Sequence, residues 1–545
     1  MINSKIAFLG ITFCLLSLTL MAQDRFAIQY KYKPQTSFQL DSPLDFVTEE
    51  TLKRRVREQV SLDSLDLPVS EKYIEIIEPL VDKIQYHTKW LNSSIVVASE
   101  AQIEEIKTLP FVENVELVGR GFYDYGQSAR KEAFKIPIKI RLKSKNDKAY
   151  IFQNELLGIP EMHEEGFTGE GVTIAVFDGG FQNADRIDAL KHLFDNDRII
   201  ATQDFVIPGS DEVYRTDTHG TGSLSLIAAF DPNSLVAGAY NANYILCITE
   251  DISSEYRIEE YNWVRAAEFA DSLGVDIINS SLGYNIFNES SMNYTKEELD
   301  GKTAVITRGA NIAAEKGIMV VSSAGNEGNG SWKSITAPAD AYGILSVGSV
   351  TNSLQKSNFS SIGPTSDGRI KPEVSALGSS VTLWRNNSAI GTASGTSFSA
   401  PQVAALAAGL WEAKPELTKN ELLDLILTTS SQAEEPDNDL GYGIPNFTRA
   451  YFGIVTEVER EIEEAKLNIF PNPSDGNELY INYGRLNECE FSLYDINGKL
   501  LSTASLNRNS YDQPYSVSVG DLRAGMYIIQ VRESNRPQRI KFVKK

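Results

Sequence analysis

The chain has 545 residues, too many for one hydrophobic core, and domain sizes predict roughly three or four folded units. Its 42% hydrophobic and 23% charged residues exclude a fibrous or wholly disordered protein, and a formal net charge of -22 repels phosphate backbones, which argues against nucleic-acid binding. The three cysteines, Cys14, Cys247 and Cys489, fall in different segments, so neither a disulfide framework nor a cysteine metal site is expected.

Residues 1–22 place Lys5 before an apolar run from Ile6 to Met21 and end on Ala22, the pattern of a signal peptide cleaved after Ala22. The other reading, a membrane anchor, is opposed by the shortness of the run and the lack of a stop-transfer flank. Residues 23–120 alternate strand-like segments (Phe26–Tyr30, Ile84–His87, Ser94–Val97, Phe111–Val118) with helical patterns over Asp45–Glu58 and Glu100–Thr108, a small α+β unit. Residues 121–150 form a basic segment. Counted from Arg120 to Lys148, nine Lys or Arg face three acids, which reads as a solvated linker or as an exposed processing segment.

From 151 to 455, strands such as Val172–Phe177, Tyr244–Ile248, Asp276–Asn279 and Ile318–Val321 alternate with helices over His219–Phe230, Glu259–Leu273 and Arg308–Lys316. The alternation predicts an α/β fold, a doubly wound parallel sheet covered by helices on both faces. Cys247 lies in the apolar run Tyr244–Ile248 and reads as a buried strand thiol. Residues 456–466, charge-dense from Glu457 to Lys466, read as a linker or a short helix. Residues 467–545 change to short strands separated by turn clusters such as Pro471-Asn472-Pro473, the pattern of a β-sandwich.

Four residues carry the chemistry. Asp178 ends the strand VTIAVF, where a doubly wound sheet presents its ligand crevice; alone it could simply cap a turn. His219 opens a helix in His219-Gly220-Thr221-Gly222, and an imidazole titrates close to neutral pH, as a general base must. Ser397 lies in Gly395-Thr396-Ser397-Phe398-Ser399-Ala400-Pro401 before an apolar helix whose N-terminus favours developing negative charge. Its other reading is a capping serine, a role to which Ser399 is better suited. Asn326, in Ser322 to Gly328, offers a side-chain amide to an oxyanion, or is a turn residue. The order Asp, His, Asn, Ser separates this set from the chymotrypsin and α/β-hydrolase arrangements.

The segments IAVFDGG, HGTG, SSLG, SSAGNEG and GTSFSAPQVAAL resemble those of the subtilase family of serine peptidases, across about 150–455. One departure is Gly179-Gly180, where many subtilases have a hydroxyl residue after the acid. The resemblance implies a secreted serine endopeptidase in which Ser397 attacks, His219 moves the proton, Asp178 orients the imidazole, and the Ser397 N–H and Asn326 hold the oxyanion. It implies that Ser281, Leu282 and Gly283 pair with the substrate backbone, and that Gly283 with Ser323, Ala324 and Gly325 lines a pocket taking a bulky apolar residue. No cofactor is expected for catalysis and no metal ligand can be named, although structural calcium is allowed.

Residues 23–120 resemble an inhibitory prosegment, with maturation expected in the basic stretch. Residues 467–545 resemble the C-terminal sorting domain of type IX secretion substrates through Phe470-Pro471-Asn472-Pro473, Leu493 to Lys499 and Leu522 to Tyr527. The partners implied are protein or peptide substrates and the type IX secretion machinery, with no nucleic acid and no membrane-spanning segment in the mature chain. The location implied is extracellular or on the outer cell surface after periplasmic transit. The competing readings are a catalytically inactive subtilase-fold binding protein, an esterase on the same fold and, for residues 467–545, a substrate-binding sandwich.

Overall fold

The computed structural model describes residues 23–34, 37–121, 150–385, 390–453, 467–483, 488–496, 498–508, 514–533 and 536–545. The signal-like segment 1–22, nearly all of the basic stretch 121–150 and the linker 456–466 lie outside the described residues. Among the described residues, no helix is long and apolar enough to cross a membrane.

The N-terminal unit comprises β1 (Asp24–Tyr30), α1 (Glu49–Arg57), α2 (Glu71–Ile77), β2 (Lys83–Thr88), β3 (Ser93–Ala98), α3 (Glu100–Ile106) and β4 (Val112–Gly119). Its strands form an antiparallel sheet in the order β2-β3-β1-β4. The helix α1 begins later than the charge pattern predicts, because Thr48 accepts the Thr51 N–H at 3.3 Å and fixes the start there. Successive strand residues point to opposite faces. Phe26, Ile28 and Val96 therefore pack on Ile77, Ile103 and Ile106. Ala27, Ile95 and Val118 turn the other way and join the core of the next unit.

That unit contains β5 (Thr173–Asp178), β6 (Ile199–Asp204), α4 (His219–Ala228), β7 (Asn243–Ile248), α5 (Ile258–Ser272), β8 (Ile277–Ser280), α6 (Val305–Glu315), β9 (Met319–Ser323), β10 (Leu345–Val350) and β11 (Val374–Leu377). A hairpin of β12 (Val381–Trp384) and β13 (Ile390–Ala393) then leads to α7 (Ala400–Ala413). The seven strands β5 to β11 form one parallel sheet in the order β11-β10-β9-β8-β5-β7-β6. Both faces are covered, as a parallel sheet requires. Ile174, Val176, Leu246 and Val321 pack toward one side, and Ala175, Phe177, Cys247 and Val320 toward the other. The chain crosses from β5 to the edge strand β6, returns to β7 beside β5, and then passes to the other side of β5 through β8 to β11. The crevice at such a reversal lies at the carboxyl ends of β5 and β8.

The C-terminal residues form a three-stranded sheet (Asn468–Phe470, Glu478–Asn482, Tyr515–Ser518) and a four-stranded sheet (Glu488–Asp495, Leu500–Asn507, Gly525–Glu533, Arg536–Lys544). Leu479, Ile481, Phe491, Leu493, Ile529 and Phe542 fill one core between them, which makes a sandwich.

The N-terminal unit docks on α5 and α6 through charges as well as apolar surface. Arg54 and Arg55 of α1 both reach Asp271 near the end of α5, Arg55 at 3.0 Å. Asp66 bridges Arg55 at 3.0 Å and Lys316 at 2.7 Å. All five side chains are buried. Burial alone would raise the Asp66 pKa, but Lys316 and Arg55 overcome it and hold that carboxyl below its ordinary value. Removing one member of such a network leaves a buried charge uncompensated. In a Ser397→Ala background, Asp271→Ala is expected to weaken the docking of α1 by roughly 3–5 kcal/mol, read as faster hydrogen exchange over residues 49–57. Unchanged exchange there would show that the network does not hold the units together.

Candidate active site

Asp178 is the last residue of β5 and is 1% exposed. His219 is the first residue of α4, and its Nδ1 lies 2.9 Å from each Asp178 oxygen. The carboxylate has two further donors: the Gly179 N–H to Oδ1 at 2.8 Å and the Ser223 hydroxyl to Oδ2 at 3.1 Å. Ser223, one helical turn beyond His219, thus gives the acid a hydroxyl partner although the residue after it is glycine. The sequence reading missed it; its spacing of four from His219 on the same helix face was the available signal. Gly180 is required by close approach, since a Cβ there would lie 2.2 Å from Thr216 Oγ1 and 2.3 Å from the Arg215 carbonyl.

The surroundings of His219 set its proton affinity. Burial pulls its pKa down, but the adjacent Asp178 carboxylate, assisted by Asp217 and opposed by Arg385, outweighs that and leaves it raised. Asp217 also accepts the Thr218 and His219 N–H groups at 2.6 and 3.2 Å at the start of α4. Arg385, the residue after β12, donates to Thr218 Oγ1 at 3.1 Å. The His219 ring packs against Phe398 with centroids 5.2 Å apart, which brings α4 to the turn holding Ser397.

Ser397 sits in the turn Thr396–Phe398 just before α7. Its hydroxyl donates to the Ser281 carbonyl at 3.1 Å, and the Ser281 hydroxyl donates back to the Ser397 carbonyl at 2.9 Å. Among the described residues, the Ser397 hydroxyl makes no hydrogen bond to His219. Asn326 is brought to the same turn, because its Oδ1 accepts the Thr396 N–H at 2.9 Å and the Thr396 hydroxyl at 3.1 Å. With the oxygen engaged, the exposed end of this amide is its NH₂. Ser399 occupies the N-cap position of α7, but its hydroxyl forms no capping bond, so the expected capping role is corrected. Phe398 and Ala400 flank it in a continuous helical turn, and its ψ of -46° departs from the extended geometry a capping serine needs.

Ser281, Leu282 and Gly283 continue from the carboxyl end of β8, and Ser323 to Gly325 from that of β9. The Ser323 hydroxyl donates to the Leu282 carbonyl at 3.0 Å and ties the two segments together. Tyr284 pairs with Ala337 in both directions, at 2.9 and 3.1 Å, so Gly283 is left exposed with its backbone unpaired among the described residues. A Cβ on Gly283 would lie 2.2 Å from Thr336 Oγ1, and one on Gly325 2.8 Å from the same atom. Thr336 is thus the floor on which both segments converge, a residue that no local motif marks.

A buried aspartate paired with a histidine, a serine in a helix-entry turn and an exposed amide are gathered at the switch point of a parallel sheet, where an α/β fold binds its ligand. The pattern of the subtilase family matches residues 169–443, that of the peptidase S8 propeptide domain of Bacteroidota residues 25–133, and that of the secretion system C-terminal sorting domain residues 468–545. The chain is 28% identical over 367 residues to subtilisin NAT of Bacillus subtilis subsp. natto, covering 66% of this chain and 81% of that protein. Subtilisin E of Bacillus subtilis (strain 168) gives the same figures. The solved structure of MycP1 with its N-terminal propeptide removed aligns with a TM-score of 0.45 at 23% identity, over 56% of this chain and 97% of that one. The chain belongs to the subtilase family and is a serine endopeptidase. It carries a propeptide domain and a C-terminal domain that marks it for type IX secretion.

The electrostatic arrangement makes a signed prediction. Removing the negative charge in Asp217→Asn lowers the His219 pKa, and removing the positive charge in Arg385→Gln raises it. Histidine-resolved NMR titration of a Ser397→Ala background checks both, and shifts in the same direction would contradict the arrangement.

Proposed function

We propose that Ser397 is the nucleophile, His219 the general base and acid, Asp178 the group that orients and stabilises the imidazolium, and Asn326 with the Ser397 N–H the donors to the oxyanion. The observation that carries this reading is the His219–Asp178 pair, which engages Nδ1 and leaves Nε2 to exchange a proton. Rotation about the Ser397 Cα–Cβ bond releases the hydroxyl from the Ser281 carbonyl and turns it toward His219. Catalytic hydrogen bonds of this kind are often long or misdirected before substrate binds. The freed carbonyl and the unpaired Gly283 backbone then form an edge on which an extended peptide adds as a strand.

In the first half-reaction, the Ser397 oxygen forms a bond to the scissile carbonyl carbon and its proton passes to His219. The tetrahedral oxyanion is held by the Asn326 NH₂ and the Ser397 N–H. Its collapse breaks the C–N bond, and His219 gives the proton to the leaving amine. Water then repeats the sequence on the acyl-enzyme. Every proton and electron pair in these steps is carried by substrate, water and residues of this chain. Ser323, Ala324 and Gly325, facing Gly283 above Thr336, form the side-chain pocket of this reading, with a bulky apolar residue as its occupant.

In the same reading, residues 1–22 are a signal peptide and the N-terminal unit to residue 120 is an inhibitory prosegment. Processing occurs in the basic segment 121–150, the peptidase domain spans 151–455, and the linker 456–466 leads to a sorting domain at 467–545 that is removed on export. Structural calcium belongs to the proposal as well.

Steady-state hydrolysis of a peptide substrate tests the assignment. Asn326→Ala is expected to lower kcat by about 10²–10³-fold with little change in KM, the scale known for one oxyanion donor from a subtilisin itself. Ser397→Ala is expected to abolish acyl transfer. A loss confined to KM would remove Asn326 from the oxyanion site. Because the His219 pKa is raised, kcat/KM should fall as pH drops through a value above the ordinary 6.5, and an acid limb below that value would contradict the Asp178 pairing.

A further inference from the structure

Beside the catalytic residues lies a group of carboxylates that the hydrolytic mechanism does not use. Glu250 and Glu255 come from the loop after β7, and Glu259 from the first turn of α5. One carboxylate oxygen of each lies within 4.8 Å of one from each of the others. Glu259 is 1% exposed and directed into the group; its Oε1 accepts the Asp251 N–H at 3.2 Å, but its Oε2 has no hydrogen-bond partner among the described residues. A buried carboxylate oxygen without a partner is costly and calls for a proton or a cation.

Among the described residues, no Lys, Arg or His forms an ion pair with any of the three. Arg257, between them in sequence, is engaged elsewhere, donating to Glu116 at 2.6 Å and to the Met292 carbonyl at 2.9 Å. The Tyr284 hydroxyl donates to Glu250, which satisfies one oxygen but brings no positive charge. Oxygens bound at about 2.4 Å to one ion lie at most about 4.8 Å apart, so the three carboxylates can share a calcium-sized centre. The donors are all anionic oxygens, which selects a hard cation over zinc or copper. Glu250 and Glu255 are only partly buried, which gives the ion a route from solvent.

The geometry points to a divalent-cation site formed by Glu250, Glu255 and Glu259 that takes Ca²⁺ and clamps the loop 249–257 to the start of α5. Two contacts connect it to the catalytic crevice. The Thr249 N–H donates to the Asp178 carbonyl at 3.1 Å, and Tyr284, joined to Glu250, directly follows Gly283. An ion here positions the end of β5 and the segment after β8 without touching the reacting atoms. The inference is independent of the hydrolytic reading and is tested in protein that cannot cleave.

The experiment uses the full secreted chain carrying Ser397→Ala. Tb³⁺ is titrated with excitation of tyrosine, Ca²⁺ is used as competitor, and melting temperature is measured with Ca²⁺ or with EDTA. The expected result is saturable Tb³⁺ emission that Ca²⁺ displaces and a melting temperature raised by Ca²⁺. Glu259→Gln should weaken Tb³⁺ binding at least about tenfold, as expected when one of a few carboxylate ligands is lost, and remove the Ca²⁺ response. In EDTA it should melt no lower than its parent, because it relieves repulsion among uncompensated carboxylates. Should Glu259→Gln fail to fold, Glu255→Gln at the open side provides the same comparison. Tb³⁺ emission and a Ca²⁺ response that persist in the variant, or their absence from the parent, would overturn the site.

Discussion

The reversal of winding direction in the parallel sheet is the constraint on which everything else rests. Strands of one direction bring all their carboxyl ends to one edge, and reversal between β5 and β8 opens a crevice there. Asp178 ends β5, and Thr249-Glu250, Ser281 to Gly283 and Ala324 to Asn326 follow β7, β8 and β9. They meet although they are distant in sequence. The starts of α4 and α7 bring His219 and Ser397 to the same edge, with the Phe398 ring against the imidazole. Short range then fixes what long range assembles: Asp178 holds Nδ1, Thr396 holds the Asn326 oxygen, and Ser281 and Ser397 exchange hydrogen bonds.

The N-terminal unit bears on this edge through the helices that support it. Its sheet shares a core with α5 and α6, and the Tyr86 hydroxyl and Thr88 reach Asn262 and Glu268 on α5 at 2.7 and 2.5 Å. The end of β4 is fastened by Arg120, which pairs with Asp24 at 2.7 Å and Glu289 at 3.1 Å. Buried ion pairs contribute little net stability but penalise any docking that leaves a charge unmatched. The network of Arg54, Arg55, Asp66, Asp271 and Lys316 therefore acts chiefly on the register of docking, while apolar burial supplies most of the attraction.

Much of this was legible in the sequence because the motifs combine strand ends with chemistry. The apolar run before Asp178, the glycines around His219 and the proline after Ser399 mark where strands stop and helices start. Less visible were β6, β10 and β11. Ile199–Asp204 ends in polar residues at a sheet edge, Leu345–Val350 is diluted by Ser and Gly, and Val374–Leu377 has four residues. None gives a clear apolar period. Ser223, Asp217, Arg385 and Thr336 were also missed, because each acts through a contact made by folding and stands in no motif of its own. The docking charges share that property, since Arg54 and Asp271 are separated by 217 residues.

Reaction with a fluorophosphonate, followed by peptide-level mass spectrometry, tests the central claim most directly, because it requires a hydroxyl, an imidazole and a carboxylate to act as one unit. The account predicts a single adduct on Ser397, formed faster as pH rises through the His219 titration and slowed by roughly 10³-fold or more in His219→Ala. An adduct on another residue, or equal labelling of Ser397 without His219, would contradict it.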